Sequence, residues 1–184
     1  MSTFLELVNK RESTRKYKNS PVEKEKVARC LEAARLAPSA SNSQPWTFIV
    51  VNEHHLKNQV AKATLLSKAV SFNKFTLEAP IIIAIVTEKS KITAQMGNFL
   101  KNQQYNLIDI GIATEHFCLQ AAEEGLGTCI MGWFDEKKIK TLLHVPKSKR
   151  INILISLGYP ADDSIREKIR KPIHEMVRYN SYIE

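Results

Sequence analysis

Cysteine is scarce in this chain of 184 residues: Cys30, Cys118 and Cys129 lie far apart, with no Cys-x-x-Cys pair among them. An odd, scattered set argues against a disulfide framework and a thiolate zinc site, and fits a reducing cytoplasm. Each is expected to pack as a small apolar group. His54, His55, His116, His144 and His174 show no metal-ligand spacing. Glycine is also sparse, and Gly125-x-Gly127 lacks the third glycine of a dinucleotide fingerprint. The chain has neither a Gly-x-Ser-x-Gly elbow nor a Walker loop. Its longest apolar run, residues 79–86, is too short to span a bilayer and reads as a buried strand. The first residues form an amphipathic segment containing Glu6, which does not resemble a secretory signal.

Without repeats, low-complexity stretches or linkers, the chain is expected to form a single domain over residues 1–184, with 167–184 an irregular tail. The formal net charge is +8. The lysines are spread along the whole chain without aromatic interleaving, so nucleic-acid binding is not expected. Most of the cations read as a solvated surface and a minority as focused on a phosphate-bearing ligand.

The 3–4 periodicity predicts a helix over 3–10 and a second one to Ala37, where Pro38 stops it. Ser20-Pro21-Val22-Glu23 has the form of a helix start, with Ser20 as N-cap and Glu23 closing a capping box. Strands are predicted over 46–51, 81–86, 128–133 and 151–157, with helices over 54–66, 105–124 and 135–143. Residues 88–102 could be loop, helix or lid. The 105–124 helix is apolar nearly all round, as in a central helix or one at a subunit interface. Alternating helices and buried strands predict an α+β (α/β sandwich) fold: a mixed, mainly antiparallel sheet of about four to five strands wrapped by helices.

Two clusters could carry chemistry. In Arg11-Glu12-Ser13-Thr14-Arg15, two guanidinium groups flank a serine just after a helix and offer forked donors to one anion. A helix end with ordinary surface arginines would read the same way. In Pro38-Ser39-Ala40-Ser41-Asn42-Ser43-Gln44-Pro45-Trp46, small polar residues join a helix to a strand. A tight turn could use them, but so dense a run also suits a flat hydrogen-bonding ligand.

The order of these motifs, Arg-x-Ser-x-Arg, helix, Pro-Ser-x-x-Asn-x-Gln-Pro-Trp, strand, resembles the nitroreductase family of FMN-dependent oxidoreductases. Phe72-Asn73, Gly125-Leu126-Gly127, Ile130-Met131-Gly132, Phe134-Asp135 and Lys168-x-Arg170 extend the likeness along most of the chain. The resemblance implies that Arg11, Glu12, Ser13 and Arg15 hold the FMN phosphate and the pyrimidine side of the flavin, with Lys168 and Arg170 completing the phosphate grip. Asn73 would bond the ring, while Ile130, Met131 and Gly132 would line one face of it. Pro38, Ser39, Ala40, Asn42 and Gln44 would touch a flavin held mainly by a second subunit, so a homodimer is implied, with the 167–184 tail open to exchange across it. Family members with a lysine three residues beyond Phe-Asn and a glutamate near the reactive flavin nitrogen differ here, where Thr76 and Gly132 stand.

The expectation is therefore a cytoplasmic FMN enzyme that takes a hydride from NADH or NADPH and reduces a small acceptor, a nitroaromatic, a quinone or the like, with ping-pong kinetics. No side chain is assigned as catalytic, and no metal, nucleic acid or membrane is expected. A flavin-storing or flavin-sensing protein with little turnover is the competing reading.

Overall fold

A computed structural model of the protein describes residues 3–65, 72–89, 104–162 and 164–182. Its centre is a four-stranded sheet of β1 (Trp46–Val51), β2 (Ile81–Thr87), β3 (Gly127–Met131) and β4 (Arg150–Gly158), in the order β1-β2-β4-β3. All three pairings are antiparallel. The expected mixed character is confined to an isolated parallel bridge, Ser13 to Thr128, beside the edge strand β3. Residues 88–102, the segment open to loop, helix or lid, fall almost wholly outside the described residues.

Strand β2 shows why the sheet is central. Its successive side chains point to opposite faces, and here both faces are covered. Ile82, Ala84 and Val86 join one apolar cluster with Val60, Ile139 and Leu154. Ile81, Ile83 and Ile85 join the other with Cys30, Ile110 and Phe117. The helices α3 (His54–Ala63) and α5 (Glu136–Leu142) cover the first face, while α2 (Lys24–Arg35) and α4 (Tyr105–Glu123) cover the second. On that second face the Phe48 and Phe117 rings stack with centroids 6.4 Å apart.

The first helix, α1 (Phe4–Lys10), carries a complete capping box between Thr3 and Glu6. The box expected at Ser20 does not form: α2 begins at Lys24, with Glu23 in the cap position and no side-chain cap bond. Glu23 instead accepts from the Tyr159 hydroxyl at 2.6 Å, which is itself bonded by Lys26. A tertiary contact thus takes the carboxylate that the local motif would use.

Helix α4 ends in a Schellman motif: Leu126 N–H donates to Ala121 O, and Gly125 N–H to Ala122 O. Gly125 has φ +75°, and a Cβ there would meet nothing within 4 Å. Gly125→Ala therefore tests backbone strain alone and is expected to cost about 1–2 kcal/mol, seen as a lower urea midpoint with an unchanged m-value.

Helix α4 buries Asp109, Ile110, Ala113, Thr114, Phe117, Cys118, Ala121 and Ala122, and leaves Leu107 and Ile108 exposed. A short helix, α6 (Ile173–Met176), lies in the tail, where Ile169, Ile173, Met176, Tyr179 and Tyr182 are exposed. Among the described residues, no helix is long and apolar enough to cross a membrane.

Candidate functional site

The 11–15 strip leaves α1 in extended conformation, beginning at Arg11 with φ −65° and ψ 124°. Two contacts fix its path. Thr14 N–H donates to Thr128 O at 2.8 Å, which docks the strip along β3. Lys168 Nζ donates to Asn9 O and Arg11 O at 2.6 and 2.7 Å, closing the free carbonyls at the end of α1. In an extended strip alternate side chains share a face, so Arg11, Ser13 and Arg15 lie opposite Thr14, which is buried against Gly127.

Arg11, Glu12, Ser13, Arg166, Glu167, Lys168, Ile169 and Arg170 line a cavity of about 400 Å³. Glu12 is already engaged there, accepting from the Arg166 guanidinium at 3.1 Å. Arg11 Nε lies 3.3 Å from Glu115 Oε1, an ion pair out of hydrogen-bond alignment. Desolvation, followed by the positive charges of Arg11 and Arg170, holds the Lys168 ammonium below the ordinary lysine range. An ammonium disfavoured by burial and by neighbouring positive charge gains from an anion. Arg15 lines the adjoining cavity of about 200 Å³, with Lys16, Ser164 and Arg166.

This donor set fits a phosphate monoester: two guanidinium groups, an ammonium and a hydroxyl converge on a space large enough for it. Inorganic phosphate at millimolar concentration is therefore expected to raise the melting temperature of the protein by a few degrees. Sodium chloride at equal ionic strength should not reproduce the shift in thermal unfolding.

Strand β3 carries the strip toward a second group. Its side chains are buried except Ile130, which is 42% exposed. Met131 is packed in the core and presents only its backbone outward, while Gly132 is exposed with open space where a Cβ would stand. Asn73 Nδ2 donates to Trp133 O at 2.8 Å, placing Asn73 beside the end of β3. Thr76 is fully buried and bonded to Thr64 and to Asn73 O, so it cannot take the outward role of a lysine.

The Pro38–Gln44 loop stands elsewhere. It leads into β1, at the opposite edge of the sheet from β3, three strand spacings or about 14 Å away. Ser41, Asn42 and Gln44 all have positive φ, at 52°, 50° and 47°. Bonds from Gln44 N–H to Ser39 Oγ, Ser43 Oγ to Ala40 O and Gln44 Nε2 to Asn42 Oδ1 brace it internally. Within the protomer, then, Arg11, Glu12, Ser13, Lys168 and Arg170 are brought together, with Ile130, Met131, Gly132 and Asn73 further along the same edge. Pro38, Ser39, Ala40, Asn42 and Gln44 form a separate surface.

Four residues absent from the sequence reading take part: Arg166, Glu115, Asp109 and Trp133. The first carried a signal, since Arg166, Lys168 and Arg170 alternate as they would along an extended strand. The other three are brought in only by tertiary contacts. All three cysteines are buried and unpaired. Burial pushes the Cys30 and Cys118 thiols up to about 12 and raises that of Cys129, which leaves them protonated at neutral pH. Among the described residues, no group of three or more histidine, cysteine or carboxylate side chains could hold a metal ion.

An α+β sandwich with a cation-rich edge strip and a polar turn feeding the far edge defines a recognisable class. A model of the nitroreductase family matches residues 8–159, and the chain belongs to that family. An iodotyrosine deiodinase of Thermotoga neapolitana is 27% identical to it, with 99% of this chain and all of the relative covered. A putative NADH dehydrogenase/NAD(P)H nitroreductase of Archaeoglobus fulgidus is 29% identical over 89% of this chain and 88% of its own. Among solved structures, an FMN-dependent nitroreductase of Clostridium difficile aligns with a TM-score of 0.77 at 28% identity, covering 97% of this chain and all of the other.

Proposed function

We propose that this protein is a homodimeric FMN-dependent NAD(P)H oxidoreductase of the reducing cytoplasm. The observation that carries the reading is the cluster of Arg11, Ser13, Lys168 and Arg170 at the head of a strip that runs along β3. Arg11, Ser13, Lys168 and Arg170 would hold the phosphate, and Arg15 the pyrimidine edge. Asn73, Ile130 and the exposed backbone at Gly132 would receive the ring.

The separation of the Pro38–Gln44 loop from this edge supports the dimer. One protomer offers two half-sites at opposite sheet edges, and a second copy would bring its own Pro38, Ser39, Ala40, Asn42 and Gln44 against the first protomer's strip. The exposed Leu107 and Ile108 on α4, and the apolar tail beyond Lys168, are the surfaces such a contact would cover. In this reading residues 1–184 form one domain whose tail embraces the partner.

Held by these residues, FMN would supply the redox chemistry, hydride transfer from NADH or NADPH to a small acceptor. The chain binds, orients and neutralises. No buried thiol is ionised to act as nucleophile, and the reading requires no side-chain base. With Ile130 and the Gly132 backbone against one face of the ring, the other face would be open to reductant and acceptor in turn, and the kinetics would be ping-pong. The acceptor is a small oxidised molecule, a nitroaromatic or a quinone; the deiodinase among the relatives adds iodinated phenols to the acceptors worth screening.

Purified protein is expected to be yellow, with one FMN per subunit, and to bleach rapidly when NADH or NADPH is added anaerobically. A colourless preparation that takes up no added FMN would overturn the reading. Flavin that binds but is not reduced by either nucleotide would point to storage or sensing instead.

A further inference from the structure

We infer that Asp109 is the positioning residue that holds the Pro38–Gln44 loop in its ligand-ready shape, an inference that rests on the flavin seat proposed above. The loop is a strained object. Three of its non-glycine residues occupy the left-handed region, a conformation that persists only if its surroundings impose it. The bonds among Ser39, Ala40, Asn42, Ser43 and Gln44 brace the loop against itself but do not aim it at anything.

Aim comes from helix α4. Ala40 N–H donates to Asp109 Oδ1 at 3.0 Å, from the first residue of the short 3-10 turn Ala40–Asn42. Asp109 is only 3% exposed, and its Oδ2 is buried with no hydrogen-bond partner among the described residues. Burying a carboxyl group with one oxygen unbonded is an expensive way to satisfy one amide. The bond it accepts from Ala40 N–H fixes the start of the turn whose next residues run into positive φ.

The same helix carries Glu115, which is ion-paired to Arg11. Helix α4 therefore touches both half-sites, Asp109 on the loop and Glu115 on the phosphate strip. The loop's position relative to the strip is set through a rigid helix, whose Ile110 and Phe117 are buried in the core.

The experiment compares FMN affinity in Asp109→Ala, Asp109→Asn and the unaltered protein. It is read by flavin fluorescence quenching on apo-protein and by visible circular dichroism of the bound ring. Asp109→Ala is expected to weaken FMN about tenfold, the order expected for losing one buried hydrogen bond, and to alter the visible dichroism. Its apo melting temperature should shift little, because a costly buried oxygen leaves with the bond. Asp109→Asn keeps an oxygen for Ala40 N–H and should recover most of the affinity. A folded Asp109→Ala protein with unchanged FMN affinity and dichroism would overturn the inference.

A second measurement needs no variant. In the unaltered apo-protein, the Ala40 amide should exchange with deuterium far more slowly than that of Ser41, and equal rates would overturn the assignment. Unaltered protein that binds no FMN would sink the proposed function instead, while the exchange measurement would still test what Asp109 does to the loop.

Discussion

The double variant Arg11→Ala/Arg170→Ala is expected to purify without colour. Both guanidinium groups line the 400 Å³ cavity, and among the described residues neither side chain ties down a backbone carbonyl remote in the chain. Arg11 makes a half-exposed ion pair with Glu115, and Arg170 bonds only the adjacent Ile169 carbonyl among the described residues. Lys168 is a poorer choice for this test, since it ties down the carbonyls of Asn9 and Arg11. Two charge-assisted contacts at about 1.5–3 kcal/mol each correspond to a loss of FMN affinity of about a hundredfold or more. Titration of apo-protein with FMN measures this directly, and full occupancy in the double variant would refute the phosphate assignment. Glu115→Gln provides the companion result. Freed from its carboxylate, Arg11 should bind phosphate no more weakly than before.

Gly127→Ala should have the second largest effect, through packing. A Cβ at 127 would lie 2.4 Å from Thr14 Oγ1 and 2.7 Å from Thr14 Cβ. Thr14 is buried and its backbone is bonded to Thr128, so rotation of one side chain cannot relieve the overlap. The strip must move off β3. Overpacking of this kind costs about 1–3 kcal/mol, which should appear as a reduced urea midpoint. Because Ser13 and Arg15 flank Thr14, FMN affinity should fall as well. Gly132→Ala is the contrast: its Cβ meets nothing within 4 Å, so the apo melting temperature should stay unchanged. An unaltered Gly127→Ala protein would mean that the strip can slide along the strand without consequence.

Much of the architecture was legible in the sequence because its signals are local. Runs of β-branched and aromatic residues bounded by turn residues marked β1, β2 and β4 nearly to the residue, and the Gly125 stop after a long apolar helix marked α4. The expected strand 128–133 was shifted: β3 runs from Gly127 to Met131, since Gly132 and Trp133 turn outward toward Asn73. The N-terminal capping box formed at Thr3, where no tertiary partner competes among the described residues, and failed at Ser20, where Tyr159 claims Glu23. The same motif met two different surroundings.

The site divides along the same line. Residue order and the Arg-x-Ser-x-Arg and Pro-Ser-x-x-Asn-x-Gln-Pro-Trp patterns were enough to identify the family, because they are runs of neighbouring residues. Sequence determined which groups can meet an anion and a flat ring. Only the tertiary structure decided that Glu12 is occupied by Arg166, that Met131 faces inward, that Thr76 is sealed in a hydroxyl pair, and that the polar loop and the cationic strip stand at opposite sheet edges. The physical reason is that these outcomes depend on contacts between residues remote in the chain, such as Asp109 with Ala40 or Glu12 with Arg166. Local periodicity carries no information about such pairings until the sheet order brings them together.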